Sequence, residues 1–397
     1  MKDNIYEPAN INEKNEKDAK ELGLYIHIPF CKSKCYYCDF NSYASKNDII
    51  PEYCEALEKE IEYYDNIVNK NKYRVKSIYI GGGTPSYLPS EYITKVLKKC
   101  RKVFDVEENA EITIEANPGT LSQEKLVEYK DSGINRLSIG LQAWQDRLLV
   151  ELGRVHTCEE FVENLLAAKK VGFNNINVDL IFGLPGQSLK DWFETLDNVT
   201  KMRITHLSCY SLKVEEGTAL DKKIRNGEVE YPDEDIDREM YHSTIATLKN
   251  KGFIHYEISN FSKPGFESRH NLIYWNLEPY IGIGAGAHSY FERTRYNNEE
   301  VPERYISQIS NGRIPKKNIE VLALQDNISE YMILGLRLTK GIRIDEFNQK
   351  FEKDLFDLYG KKIENLIKRG LISIQNGYLK LTDIGLDLAN QVFVEFI

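Results

Sequence analysis

No apolar run in the sequence approaches the roughly 18 residues that a membrane-crossing helix needs, so no transmembrane segment is expected. The first residues, MKDNIYEPANINEKNEKDAKE, lack the apolar centre of a secretory leader, and the chain reads as cytoplasmic. An excess of positive charge is also missing: 52 Lys and Arg face 61 Asp and Glu, a net charge of -9. Binding a phosphate backbone takes a basic face, so no nucleic-acid partner is expected. Cysteine is scarce, with seven in 397 residues. The 42% hydrophobic and 28% charged content is that of a soluble chain, long enough for one large domain and a smaller one.

Three of the seven cysteines crowd together in YIHIPFCKSKCYYCDF, as Cys31-x3-Cys35-x2-Cys38. In a reducing compartment such a cluster points to metal rather than to disulfides. Three thiolates on one short loop suit three irons of a cubic iron–sulfur cluster and leave the fourth iron open for chemistry, whereas most electron carriers use four cysteines. Zinc is the competing reading, but it prefers four closed ligands, usually in two separated pairs. His27 lies nearby on a strand, where packing is an equal use. The scattered Cys54, Cys100, Cys158 and Cys209 read as small core residues.

Residues 1–20 are polar and aperiodic, which fits a flexible arm. Strand-like runs then follow at 22–29, 76–80, 111–116, 136–141, 176–182 and 205–212. They alternate with helical patterns near 50–70, 89–104, 122–132, 157–171, 188–201 and 233–251. Such alternation predicts an α/β fold, a parallel sheet with right-handed crossovers. KSIYIGGG and INVDLIFG read as strands buried on both faces. About six βα units are too few for a closed eight-stranded barrel, so a partial TIM-like barrel is expected over 21–319, including a C-terminal extension. In such barrels the C-terminal strand ends carry the chemistry.

From 320 the pattern changes to helical segments near 326–338, 343–350 and 354–369, followed by a hairpin turning at Asn376-Gly377. This predicts a small winged-helix-like α+β domain over 320–397. Its 10 Lys and Arg against 12 Asp and Glu, a net of -2, favour packing or partner docking over DNA binding.

The expected strand ends hold several candidate ligand residues. GGGTP at 81–85 would let the backbone approach a ligand closely, although tight turns use glycine too. Glu115 and Gln142 close the third and fourth strands. Asp179 sits inside an apolar strand, where a charge is costly unless paired or ligand-bound. Arg154 suits a carboxylate by bidentate hydrogen bonding, or else is a surface charge. Tyr25 leads the cysteine loop and is equally a core candidate.

The spacing CxxxCxxC, with Tyr37 before its last cysteine, resembles the radical S-adenosylmethionine superfamily. Within it, YIHIPFC, CDFNSY, GGGTPS, IEANPGT, SIGLQAW, GRVHT, DLIFGLPGQ, HNLIYW and GIGAGAHS are similar to one group. That group contains the oxygen-independent coproporphyrinogen oxidases and the HemW-type heme chaperones. The likeness runs from Gly23 to the C-terminus and is strongest over 24–290. The resemblance implies a 4Fe-4S cluster on Cys31, Cys35 and Cys38. It also implies S-adenosyl-L-methionine at one or two adjacent positions lined by Tyr25, Gly82, Gly83, Thr84, Glu115, Gln142, Arg154 and Asp179, with Gly82–Thr84 at the methionyl end.

Two activities fit this scaffold, and whether it turns over a substrate stays open. One is decarboxylation of coproporphyrinogen III during heme synthesis. The other is holding heme as cargo and delivering it to respiratory proteins. The oxidases show a further cysteine two positions beyond the third ligand, where this chain has Phe40, and they carry a longer N-terminal segment. Both departures, and the HNLIYW stretch, match the chaperones, and the oxidase is the alternative. His270 is the candidate heme ligand, because neutral imidazole commonly binds heme iron and Tyr274 and Trp275 would suit a porphyrin face. A hydrogen-bonded core histidine is its plainer reading. His288 in GAGAHSY is a rival, although its glycines also suit a strand-end turn. His156, His206, His242 and His255 read as packing or surface residues. A homodimer through the cluster face is compatible with the sequence.

Overall fold

In the computed structural model the described residues are 20–70, 72–230 and 233–397. The expected arm at 1–20 lies outside them, apart from Lys20. Six strands form where the apolar runs occur: β1 (Lys20–Ile28), β2 (Tyr73–Gly82), β3 (Val106–Ala116), β4 (Arg136–Gln142), β5 (Asn175–Phe182) and β6 (His206–Ser211). Each pairs parallel with the next. Every residue of β4 is buried, as a strand covered on both faces should be.

Helices α1 (Ile50–Tyr63), α2 (Ser90–Val103), α3 (Gln123–Asp131), α4 (Cys158–Val171) and α5 (Leu189–Lys201) lie between these strands in the chain. Local sequence sets their ends. Thr157 with Glu160 and Ser188 with Asp191 form reciprocal capping boxes that start α4 and α5. Gly172, at φ 99°, closes α4 in the left-handed region. The helical pattern over 50–70 breaks at Tyr64 and resumes as the short helix Asp65–Lys70.

After α6 (Glu234–Asn250) the chain extends the sheet at both edges. β7 (Ile254–Glu257) and β8 (Asn260–Ser262) add antiparallel beyond β6. The short helix α7 (Arg269–Trp275) leads to β9 (Tyr280–Ile283), which returns to the far side of β1 and pairs with it in parallel. Antiparallel strands β10 (His288–Phe291), β11 (Thr294–Asn298) and β12 (Lys316–Val321) follow. The sheet therefore has 12 strands in the order β12-β11-β10-β9-β1-β2-β3-β4-β5-β6-β8-β7. Its parallel centre agrees with the expected α/β class, but the sheet is twice the expected size.

The remaining residues build α8 (Leu324–Gly335), α9 (Ile344–Phe351) and α10 (Leu355–Lys368) around a small sheet. Its strands are β13 (Ile342–Arg343), β14 (Ile372–Gln375) and β15 (Tyr378–Leu381), in the order β13-β15-β14. Asn376 (φ 52°) and Gly377 (φ 80°) make the tight β14–β15 turn, which requires positive φ at both positions. This part has its own apolar core, which also takes in Leu277 and Tyr290 next to the large sheet. Among the described residues no helix is long and apolar enough to cross a membrane.

One buried carboxyl ties α1 to β11 and to the turn after β9. Glu60 of α1 accepts hydrogen bonds from Tyr305 Oη (2.6 Å), Asn298 Nδ2 (2.7 Å) and the Gly284 backbone N–H (2.8 Å). Burial pushes its carboxyl up to about 7. A folded-state value above the unfolded one means the fold binds the proton more tightly. The resulting stability is complete below the unfolded value and is lost as pH rises through about 7. The loss is up to ~3 kcal/mol for a shift of this size. Glu60→Gln is expected to remove this group's part of the fall in urea-unfolding stability over this range, leaving the shares of Glu115, Asp179 and Glu257, whose carboxyls are also raised by burial. A decline as steep as in wild type would refute this role for Glu60.

Candidate functional site

The chain leaving β1 closes a compact cysteine loop. Phe30–Cys31 pairs in parallel with Tyr43–Ala44, and Lys34 Nζ donates to the backbone oxygens of Phe40 (3.0 Å) and Ser42 (3.2 Å). Each cysteine sulfur has a polar neighbour. Thr84 Oγ1 lies 3.6 Å from Cys31 Sγ, Arg154 Nη1 3.5 Å from Cys35 Sγ, and Ser42 Oγ 3.8 Å from Cys38 Sγ. Burial raises the Cys31 and Cys38 thiols, while the Thr84 and Ser42 hydroxyls oppose the shift.

All three cysteines line one cavity of about 330 Å³ at the C-terminal ends of the parallel strands. Among the described residues no three His, Cys, Asp or Glu side chains converge on a single ion. Three thiols on one cavity suit an iron–sulfur cluster with one open iron better than a zinc site closed by four ligands.

The glycine turn after β2 forms the adjoining wall, and two of its glycines have steric reasons to be there. Gly82 has φ 118°, and a Cβ on it would fall 2.5 Å from the His27 ring. A Cβ on Gly83 would meet the Phe30 oxygen at 2.7 Å and Cys31 Sγ at 2.9 Å. The close approach of this turn to the cysteine loop therefore depends on the missing side chains.

Glu115 accepts from Tyr79 Oη (2.8 Å) and from the Gly82 backbone N–H (3.0 Å). Burial pushes its carboxyl up to about 7, and the Asp179 charge adds to the rise. Asp179 accepts hydrogen bonds from Ser138 Oγ (3.0 Å) and Asn177 Nδ2 (2.8 Å), and among the described residues it makes no ion pair. Burial raises its carboxyl too. Gln142, at φ 73°, ends β4 in the left-handed region that disfavours side chains. Arg154 is not a surface charge: its Nη2 donates to the Gly140 oxygen (2.7 Å) and to Asn117 Oδ1 (2.8 Å).

Gly82, Gly83, Thr84, Glu115, Gln142, Arg154 and Asp179 all line the cavity that holds the cysteines. Tyr25 does not. It lines a neighbouring cavity of about 530 Å³ that shares Gly82, Glu115 and Phe40 with the first. Asn117 escaped the sequence reading. Its Nδ2 donates to Thr84 Oγ1 (2.8 Å) while its Oδ1 accepts from Arg154, so it joins two walls of the site. Its place two residues beyond Glu115, at a strand end, was the available signal. Tyr37, noted only for its spacing, lines the same cavity.

The larger cavity is walled by aromatic residues, including Tyr274, Trp275, Tyr280 and the 64% exposed Phe40. His270 does not reach it. Its ring is buried against Tyr79, with Nδ1 2.9 Å from Ser77 Oγ and Nε2 2.8 Å from Tyr274 Oη. Burial pushes its pKa down to about 3. The expected heme ligand thus offers no free ring nitrogen in this geometry, and the core reading describes its surroundings.

The site combines three thiols, backbone that approaches closely at two glycines, a half-buried guanidinium and two half-buried carboxyls. Such a donor set fits an iron–sulfur cluster beside a zwitterionic ligand. Comparison with known proteins gives the same direction. The Radical SAM superfamily model matches residues 25–199, and the HemN C-terminal domain model matches 322–388. The heme chaperone HemW of Bacillus subtilis (strain 168) is 38% identical over 374 residues, covering 94% of this chain and 98% of that protein. The heme chaperone HemW of Lactococcus lactis subsp. lactis (strain IL1403) is 38% identical over 378 residues, covering 95% and 98%. Among solved structures, the coproporphyrinogen III oxidase HemN of Escherichia coli, a radical SAM enzyme, superposes with a TM-score of 0.83. At 24% identity, over 96% of this chain and 90% of that one, it shows a shared fold. Sharing more than a third of its residues with relatives matched almost end to end, the chain belongs to the HemW family of the radical SAM superfamily.

Proposed function

We propose that this chain is a heme chaperone. The smaller cavity holds a 4Fe-4S cluster on Cys31, Cys35 and Cys38 with S-adenosylmethionine beside it, and the larger one holds heme for delivery to respiratory proteins. The observation that carries this reading is the pair of adjoining cavities, one lined by thiols and one by aromatics, which share Gly82, Glu115 and Phe40. The parallel strands would curl as a partial barrel around the first cavity. Residues 320–397 would form a winged-helix-like domain, and its Leu334 lines the second. A bound, reduced cluster would supply one electron to the sulfonium of S-adenosylmethionine. The protein's own part is to hold that ligand with Arg154, Glu115 and the glycine turn.

Coproporphyrinogen III oxidation is the second reading, because the HemN fold supports it. Phe40 weighs against it. This side chain stands exposed where the oxidases carry a cysteine, and it presents an apolar face to both cavities. Anaerobic heme titration of cluster-reconstituted protein, followed by absorbance, is expected to saturate at a fixed stoichiometry. Coproporphyrinogen III should stay unchanged under reducing conditions with S-adenosylmethionine. Decarboxylated product together with no saturable heme binding would replace the chaperone reading with the oxidase.

A further inference from the structure

The larger cavity contains one histidine whose ring is uncommitted. Six of the seven histidines place a ring nitrogen in a hydrogen bond. His27, the other histidine on this cavity, has both nitrogens engaged, at 2.9 Å from Tyr25 Oη and 2.9 Å from the Asn41 oxygen. His288 opens β10 with its side chain exposed at the cavity, and among the described residues its ring has no hydrogen-bond partner.

Its backbone is firmly placed. The turn before it contains Gly284 (φ 106°) and Gly286 (φ 76°) and is pinned from two sides. Asn41 Nδ2, from the cysteine loop, donates to the Ala285 oxygen (3.1 Å), and the Ala285 N–H donates to Tyr53 Oη of α1 (2.8 Å). A Cβ on Gly286 would fall 2.4 Å from Asn41 Nδ2, so the two loops are fitted together. A ligand held on a rigid backbone loses little freedom on coordinating a metal. The cavity volume of about 530 Å³ falls within the usual range for small-molecule sites, and Phe40 and Trp275 are among its aromatic lining residues.

We infer that His288, and not His270, supplies the axial imidazole nitrogen to the iron of heme bound in this cavity. The inference rests on the heme-holding reading above. Its test is an anaerobic hemin titration of the cluster-reconstituted full chain, read by Soret absorbance and ferric-heme EPR. The proteins compared are wild type, His288→Ala, His288→Cys and His270→Ala. His288→Ala should weaken binding by about tenfold or more, at least the cost of losing an outer-shell metal partner. Added imidazole should restore the wild-type spectrum to that variant. His288→Cys should exchange a histidine-ligated spectrum for a thiolate-ligated one, and His270→Ala should keep the wild-type signature. Unaltered ligation in both His288 variants would overturn the inference and leave the chaperone reading intact. No saturable heme binding by wild type would instead overturn the chaperone reading.

Discussion

Cys35→Ala is expected to yield a folded chain that no longer assembles its cluster. Anaerobic reconstitution of wild type should give about four irons per chain and a broad charge-transfer absorbance, and both should fall to near background in the variant. The side chain is half-buried on a loop, and its recorded polar contact is Arg154 Nη1, so little packing is lost. Two remaining thiols leave a second iron without its protein ligand. Cys158→Ala provides the contrast. That cysteine begins α4 and does not line the cavity, so its removal should leave iron content unchanged. Equal iron loss in both variants, or in neither, would refute the three-thiol assignment.

Arg154→Ala should weaken S-adenosylmethionine binding by about 10- to 150-fold while iron content stays at the wild-type level. The guanidinium is held in the cavity by Asn117 and the Gly140 oxygen, so its position is set before any ligand arrives. A charge-assisted hydrogen bond to a carboxylate is worth roughly 1.5–3 kcal/mol, which sets the range. Arg154→Lys should recover little, because an ammonium cannot reproduce the planar fork. Calorimetric titration of reconstituted protein measures both variants. Wild-type affinity in Arg154→Ala would remove this residue from the cofactor's contacts.

The six parallel strands were legible because short apolar runs such as INVDLIF recur between helical patterns, and side-chain caps mark the starts of α3, α4 and α5. The bounds expected for β4, 136–141, differ from the observed Arg136–Gln142 by one residue. Strands β7 to β12 were not legible. They are three to six residues long, and β9 is placed by its pairing with β1, as in Gly23 with Tyr280, contacts far apart in sequence. The site divides in the same way. Cysteine spacing is a local signal, and β/α alternation brings Glu115, Gln142 and Asp179 to the same end of the sheet. The guanidinium of Arg154 is held by Asn117 and the Gly140 oxygen, neither of which is marked by a motif centred on Arg154. His270 is engaged by Ser77, 193 residues away, so nothing local could show that its ring was already in use.

One measurement bears most directly on the shared site: EPR of the dithionite-reduced, reconstituted protein before and after adding S-adenosylmethionine. A ligand bound at the open iron, between Arg154 and the glycine turn, is expected to change the wild-type spectrum and to change it much less in Arg154→Ala at the same concentration. A wild-type spectrum unaltered by saturating S-adenosylmethionine would contradict the placement of cluster and cofactor in one cavity.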